Sequence, residues 1–535
     1  MAETLPEFRE GAVRPPVHYE LERYLVDLDR AYPIAGLHRK GLRELGSEIV
    51  YAKPVSEREF GSVGAGVWVT LVRFGLKMET MFGLTREVLL VYTPHRDLQI
   101  RTFHALPDLI SSLPRDATEA LALVCSPDSR HAEKLDDWST SRFLAIPITN
   151  DPNELDNAGR SLLDCLQQRI FTRDLYAETA PVSGSDFYGR RILLQSLLND
   201  IEQSRVFGIF GLRKSGKTSI LKRIGEELVS NTESRPHAFV MRDLEFLPSL
   251  PHDVIRPLVT DLREDILSEL RRLNLRTREL AEMDDKGDML ELKRALQAIL
   301  KKEERSGMKL VIALDEVEYL CPPDALTEVS VAGQEIPQFF GVMRSLAQEN
   351  STFTFALAGL ASSSVEAGML FGRHNPLFSW AKPYYVPPFT REEATNIVRS
   401  LGSRMGVTWQ DNALDVALSA SGGHPFLLRD FASSVVRRLP LSPTQRVVTG
   451  GEANRAIPSW KRRIAGNLQE IMSHLDRYYP TERVLVDVLL NDPDDFASVA
   501  LDEPQALQHL LNLGLVREAA PGTFAASSLL DQARR

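Results

Sequence analysis

Cysteine is scarce in this sequence, with three residues, Cys125, Cys165 and Cys321, in a chain of 535. They are widely spaced and odd in number, and none sits in a C-x-x-C pair or beside a histidine pair. That excludes a disulfide framework and a zinc site and leaves small buried thiols. Long apolar runs are missing too. No stretch approaches the roughly 18 uninterrupted apolar residues of a membrane span. The N-terminal MAETLPEFREG carries no apolar signal core. The expected location is therefore the cytoplasm, with no membrane partner. Positive charge is in deficit: 63 Lys and Arg against 73 Asp and Glu give a net charge of -10. A surface that wraps nucleic acid along its whole extent is thereby disfavoured, although a local basic patch remains compatible.

What is present is the composition of an ordinary globular protein, 43% hydrophobic and 25% charged, which excludes wholesale disorder and fibrous repeats. No solenoid-like period recurs. At about 150 residues per domain, the length suggests three or four domains. Residues 1–175 open with amphipathic stretches at 19–28 and 36–45. Short β-rich runs follow at 66–74, 87–93, 119–126 and 142–148. Helix-like segments separate the last three runs, the pattern of a small α/β unit of sensor or effector type. Glu79, Asp97 and Gln99 are the polar residues that could serve a nuclease-like reaction there. Metal-dependent phosphodiester cleavage needs clustered carboxylates with a lysine, and 97–101 lacks the second carboxylate and the lysine. A sensing or docking module is the stronger reading.

Pro, Gly, Ser and Thr between 174 and 188 mark a boundary. Residues 176–389 then alternate strand-like and helix-like patterns, with strands expected at 205–210, 237–245, 309–315, 352–359 and 383–387. A parallel sheet with crossover helices requires that alternation. The charged stretch 252–305 has Val254, Leu258, Leu262, Ile266 and Leu270 at helical spacing and predicts two or three helices with a solvated face. Thr390 and Glu393 form a capping-box pattern that opens a helical block, 390–455. The tail, 456–535, reads as helices followed by two short β-like runs around Pro521-Gly522, the order of a winged helix.

The most specific signal is Gly211-Leu212-Arg213-Lys214-Ser215-Gly216-Lys217-Thr218, a match to GxxxxGK[ST]. Chance would produce it in roughly one chain of this length in a hundred. An apolar strand pattern precedes it and an amphipathic helix pattern beginning at Ser219 follows it, the setting in which such a loop cradles phosphates. Lys217 is placed to reach the β and γ phosphates of ATP or ADP and the Thr218 hydroxyl to ligate Mg²⁺. Downstream, an apolar run ends in Asp315-Glu316. Asp315 is the expected second magnesium group and Glu316 the expected base for the attacking water.

Together these residues resemble the STAND branch of AAA+-related P-loop ATPases, the signal-transduction ATPases of bacterial regulators, antiphage proteins and NLR-type immune receptors. Phe187-Tyr188-Gly189-Arg190 looks like the hydrophobic-hydrophobic-Gly-Arg motif that borders the adenine in that family. Gly423-His424-Pro425 looks like the GxP motif of its helical lid, and the basic residues before Ser215 are typical of its loop. The resemblance covers about 187–535. It implies an α/β fold with a P-loop NTPase core, a helical lid and a C-terminal winged helix, preceded by the small α/β domain. A polar sensor is absent directly after the fourth strand, where Ala358-Gly359-Leu360-Ala361-Ser362 stands, and Ser362 or Ser363 would have to substitute. Arg373 is the candidate for the arginine that reads the γ-phosphate, and His424 stands where ring-forming relatives carry a second-sensor arginine.

The function expected is an ATP-dependent switch in bacterial signalling or antiphage defence, acting by self-association or on a protein partner. The alternative is a DNA-associated AAA+-like ATPase. It would use the winged helix and a basic patch of Arg455, Lys461, Arg462 and Arg463 around Trp460, with Arg437 and Arg438. A catalytically dead, nucleotide-stabilised scaffold is disfavoured by Glu316.

Overall fold

The computed structural model describes residues 17–533 apart from 57–63, 83, 85, 116, 141–142, 178–186, 231–235, 249–251, 284–287, 304–306, 327–332 and 441–445. The N-terminal segment and most of the boundary expected at 174–188 lie outside the described residues. The chain forms two compact units. The first takes Met1–Glu178 with Arg399–Gln410 and Val435–Thr449, and the second takes Thr179–Val398, Asp411–Ser434 and Gly450–Arg535.

In the first unit the order is α1 (Val17–Ala31), α2 (Ile34–Glu44), β1 (Glu48–Pro54), β2 (Trp68–Arg73), α3 (Leu76–Phe82), β3 (Glu87–Tyr92), α4 (Ile100–Ser112), β4 (Ala117–Cys125), α5 (His131–Trp138), β5 (Leu144–Ile148) and α6 (Ala158–Ile170). The five strands form one sheet in sequence order. Strand β2 is antiparallel to both neighbours, while β3, β4 and β5 run parallel. Alternation along β3 sends Val88, Leu90 and Tyr92 into a core shared with α1, α2 and α6. Leu89 and Val91 enter the opposite core, with α4 and α5, so both faces of the sheet are covered. Strand β1 is not expected from the sequence. It is an edge strand with a register shift between Ile49 and Tyr51 and closes on Lys53-Pro54, features that blunt an edge and blur its period-two pattern.

The second unit contains α7 (Arg191–Glu202), β6 (Phe207–Phe210), α8 (Lys217–Ser230), β7 (His237–Asp243), α9 (Ile255–Arg272), α10 (Arg278–Ala281), α11 (Met289–Glu303), β8 (Lys309–Asp315), α12 (Glu335–Glu349), β9 (Phe353–Gly359), α13 (Ser363–Glu366), the short β10 (Met369–Leu370) and β11 (Arg373–His374), and β12 (Lys382–Tyr385). Its sheet has the order β12-β6-β9-β8-β7, parallel throughout. The fold is thus α/β with a parallel-sheet core. Strands β8 and β9 are buried along their whole length, as central parallel strands must be. The charged stretch after β7 forms three helices, α9 to α11. Leu258, Leu262, Ile266 and Leu270 all enter the sheet core.

Next come α14 (Arg391–Ser403), β13 (Thr408–Trp409), α15 (Asp411–Ser421), α16 (Pro425–Val436), β14 (Val447–Val448), α17 (Gly450–Tyr478), α18 (Pro480–Asn491), α19 (Pro493–Asp502), α20 (Pro504–Asn512), the antiparallel hairpin β15 (Val516–Ala520) and β16 (Thr523–Ala526), and α21 (Ser528–Ala533). The capping box at α14 closes in both directions. Glu393 N–H donates to Thr390 Oγ1 at 3.2 Å, and Thr390 N–H donates to Glu393 Oε2 at 3.0 Å. Strands β13 and β14 pair in parallel and belong to the first unit, where the Trp409 ring meets Tyr176 edge-on at 6.2 Å. There, too, the buried Arg446 guanidinium lies 5.1 Å from the Phe171 ring. Among the described residues no helix is long and apolar enough to cross a membrane.

Candidate nucleotide-binding site

The loop between β6 and α8 is built for close backbone approach. Lys214 and Gly216 both have positive φ, 59° and 97°, and a Cβ at Gly216 would lie 3.1 Å from Arg190 Nη1. Glycine is needed there for conformation and for space. The turn delivers the first amides of α8, a helix of 14 residues, so that their unpaired N–H groups and the positive end of the helix dipole converge on one point. Lys217 is 5% exposed. Its Nζ donates to the carbonyls of Gly211 (3.3 Å) and Leu212 (3.2 Å). Ser215 and Ser219 are buried, and Ser215 Oγ has no hydrogen-bond partner among the described residues. A buried hydroxyl without a partner is costly unless something else satisfies it.

Arg190 braces this loop from behind. Its side chain is buried, with Nη1 donating to Ser215 O at 2.6 Å and Nη2 to Pro387 O at 3.1 Å. Its own amide donates to Glu393 Oε1, and its guanidinium lies 4.9 Å from the Phe389 ring. Burial lowers the guanidinium pKa to about 10 against the pull of Glu393. Gly189, at φ 71°, has no room for a Cβ beside the Glu393 carboxyl, which would lie 2.9 Å away. The Phe187-Tyr188-Gly189-Arg190 turn is therefore tied to the capping box of α14, a link that sequence spacing could not display.

Strand β8 carries the acidic pair to the loop. Asp315 is 1% exposed. Burial raises its carboxyl pKa, opposed by a hydrogen bond from the Thr218 side chain. Glu316 adopts the left-handed conformation, φ 55° and ψ 49°, and its amide donates to Asp315 Oδ1 at 3.0 Å. Such a backbone costs on the order of 1 kcal/mol or more and is met at functional sites. Burial, then a hydrogen bond with Glu318, pushes the Glu316 carboxyl up to about 7, while Lys217 pulls it down. Sequence spacing does not single out Glu318. It is buried, and its Oε2 accepts the amide of Leu360, at the end of β9, at 3.0 Å.

The helices after β12 meet the other side of the loop. His424 Nε2 lies 3.0 Å from Arg213 O, and Nδ1 of the buried ring has no partner among the described residues. Burial lowers this imidazole to about 4, so the ring is neutral at pH 7 and bears its proton on Nε2. Lys214 Nζ sits 4.2 Å from the Phe426 ring. Arg213 Nη1 pairs with Glu470, on α17, at 3.0 Å. Both basic side chains of the loop are thus engaged by helices rather than turned into its concavity. Pro425 is the first residue of α16, where its missing N–H costs nothing. Arg373, exposed on β11, donates to Gln334 at 3.0 Å. Ser362 turns its hydroxyl to Glu366, while Ser363 begins α13.

Trp460 proves to be a core residue, fully buried, with Nε1 donating to Asp430 at 2.8 Å. Arg463 is paired with the same carboxylate, and Arg437 with Asp174. At least two of the six basic side chains named for a nucleic-acid surface, Arg437 and Arg463, are therefore held in ion pairs.

No family model and no curated protein sequence matches the chain. Among solved structures it is similar to proteins described as Walker-type ATPases and branch-migration motors. A Walker-type ATPase of Pyrococcus abyssi is 16% identical, with a TM-score of 0.48 over 67% of this chain and 100% of that chain. The RuvB Holliday junction branch migration motor of Thermotoga maritima is 13% identical, with a TM-score of 0.32 over 65% of this chain and 96% of that chain.

Proposed function

We propose that this chain is a magnesium-dependent ATPase that works as a conformational switch of the STAND kind. The observation that carries the reading is the meeting of loop and strand: the Thr218 hydroxyl at the start of α8 is hydrogen-bonded to the Asp315 carboxylate at the end of β8. The donor set fits a nucleotide polyphosphate with its ion. It offers convergent amides, the Ser215 hydroxyl, unpartnered among the described residues, and an ammonium held by two loop carbonyls. Thr218 and Asp315 would hold Mg²⁺, which supplies charge neutralisation at the β and γ phosphates.

Lys217 trades its carbonyl contacts for phosphate oxygens. Glu316, with its carboxyl near neutrality, takes a proton from the attacking water. The amides of 215–218 hold the phosphate chain in place, Tyr188 and Gly189 border the base, and Pro425 flanks it from the lid. Arg373 is the candidate that reads the γ-phosphate. Its exposure suits a group delivered from a second copy or after rearrangement.

Arg213, Lys214 and His424 connect loop and lid, so exchange of nucleotide can move the helices. A near-complete shift needs about 5.5 kcal/mol of differential binding between the two arrangements. The first unit is read as the sensing or docking module, with self-association or a protein partner as the output, in bacterial signalling or antiphage defence in the cytoplasm.

Calorimetry of the purified, nucleotide-free chain should register heat with Mg-ATP and Mg-ADP. Solution scattering should change with ATP, and Lys217→Ala should abolish both responses. Absence of heat would end this reading. A salt-dependent mobility shift on duplex DNA would instead favour the DNA-associated alternative.

A further inference from the structure

We propose that Glu318 is a positioning residue for hydrolysis and that the backbone of Leu360 links it to Tyr479 at the start of the C-terminal helices. The proposal rests on the ATPase reading and adds to it the route by which those helices reach the catalytic carboxylates.

The geometry is a chain of buried polar contacts through the backbone of one residue. The Glu318 carboxyl is hydrogen-bonded to that of Glu316, and its Oε2 also accepts the Leu360 N–H at 3.0 Å. Glu318 is pressed so tightly on the end of β9 that a Cβ at Gly359 would collide with that oxygen and lie 2.7 Å from Val317 Cγ1. No side chain fits there, and glycine is required for close approach. The other end of the same residue is equally occupied: Leu360 O accepts the Tyr479 hydroxyl at 2.9 Å. That hydroxyl in turn accepts the Ser362 N–H at 3.3 Å. Tyr479, between α17 and α18, is 7% exposed. Both polar groups of the Leu360 residue are therefore committed, the amide to the acidic segment after β8 and the carbonyl to the C-terminal helices.

A buried hydrogen-bonded chain of this kind has no slack, because every group in it would be left unsatisfied by a small shift. Withdrawal of Tyr479 frees the Leu360 carbonyl and loosens the amide that holds Glu318. Glu316 then loses the neighbour that fixes its side chain. Misplacement of a reacting group by about 1 Å is enough to cost orders of magnitude in rate. The loop at 211–218 is untouched, so nucleotide affinity is maintained.

The test is steady-state ATP hydrolysis by the full chain, with thermal unfolding to verify folding. Glu318→Ala should lower kcat about tenfold or more while KM changes less than about twofold. Glu318→Gln, which keeps an acceptor for Leu360 and gains an amide donor toward Glu316, should remain within about threefold of the parent. Tyr479→Phe should lower kcat in the same direction, and the double variant Glu318→Ala/Tyr479→Phe should be no worse than Glu318→Ala alone, since both act through the backbone of Leu360. Should Glu318→Ala prove unstable, Glu318→Gln and Tyr479→Phe carry the comparison. Turnover indifferent to Tyr479→Phe, strictly additive losses, or a Glu318→Gln defect as deep as that of alanine would overturn the proposal and leave the ATPase reading standing. A parent chain with no turnover above the Lys217→Ala background would overturn both.

Discussion

His509, on α20, joins two carboxylates from different elements: Nδ1 faces Glu482 of α18 at 2.5 Å, and Nε2 faces Glu366 of α13 at 3.1 Å. Burial alone would lower its pKa, but the bonds to Glu366 and Glu482 win and hold it at about 9. The folded value lies above the ordinary value of about 6.5, so the stabilisation is fully present below pH about 6.5 and is lost as pH rises through about 9. Chemical unfolding of the parent and His509→Gln should differ by on the order of 2 kcal/mol at pH 6, after allowance for solvent screening. The difference should shrink toward zero by pH about 10. A gap that stays constant with pH would show that the imidazolium is not what holds these elements together.

The Arg213–Glu470 pair is half exposed, 49% and 37%, and is worth at most about 1 kcal/mol to stability. Its effect should appear in kinetics. Glu470→Lys, which sets two cations against each other, should accelerate release of a fluorescent ADP analogue several-fold with little change in unfolding temperature. Adding Arg213→Glu should restore the slow release. Identical release rates in all three proteins would show that the contact carries no coupling between loop and helices.

Gly216→Ala tests the loop itself. Its φ of 97° and the Arg190 guanidinium, 3.1 Å from where the added methyl would lie, leave alanine strained and crowded. The expected outcome is loss of calorimetric heat with Mg-ADP, with destabilisation of about 1–3 kcal/mol. Retained nucleotide affinity would mean that the amides of this turn do not form the binding surface.

Arg446 is 2% exposed, and its Nε and one terminal nitrogen have no acceptor among the described residues; burial lowers its pKa. Replacing a buried ionic group by a flexible apolar chain of similar reach is often neutral or favourable. Arg446→Met should therefore unfold within about 1 kcal/mol of the parent, or later. A loss of 3 kcal/mol or more, on the scale of about 3–5 kcal/mol for breaking a buried pair, would reveal a partner for the guanidinium.

What could be read from the sequence was local. The GxxxxGK[ST] loop announces itself because glycine, lysine and hydroxyl fall within one turn. The acidic pair is visible because a buried parallel strand is a continuous apolar run with a polar end. The capping box of Thr390 and Glu393 was legible for the same reason. Glu318 was not, because its meaning lies in the amide of Leu360, 42 residues away, and nothing in a Val-Glu dipeptide reports that. Arg190 shows the same limit: the resemblance sets its motif beside the base, and nothing in the sequence reports that its guanidinium holds the backbone of Ser215 and Pro387. Trp460, marked by its basic neighbours as surface, is packed on Phe431 at 5.1 Å, since burial of a large ring outweighs the polarity of adjacent positions on a helix.

The two short returns of the chain to the first unit, at Arg399–Gln410 and Val435–Thr449, have a consequence for anyone who would separate its parts. A polypeptide ending at residue 178 would lack Trp409 and Arg446, leaving Tyr176 and Phe171 stripped of their aromatic and cationic cover. This module is woven into its neighbour's thread rather than hung from one end of it, and no single cut yields either half whole.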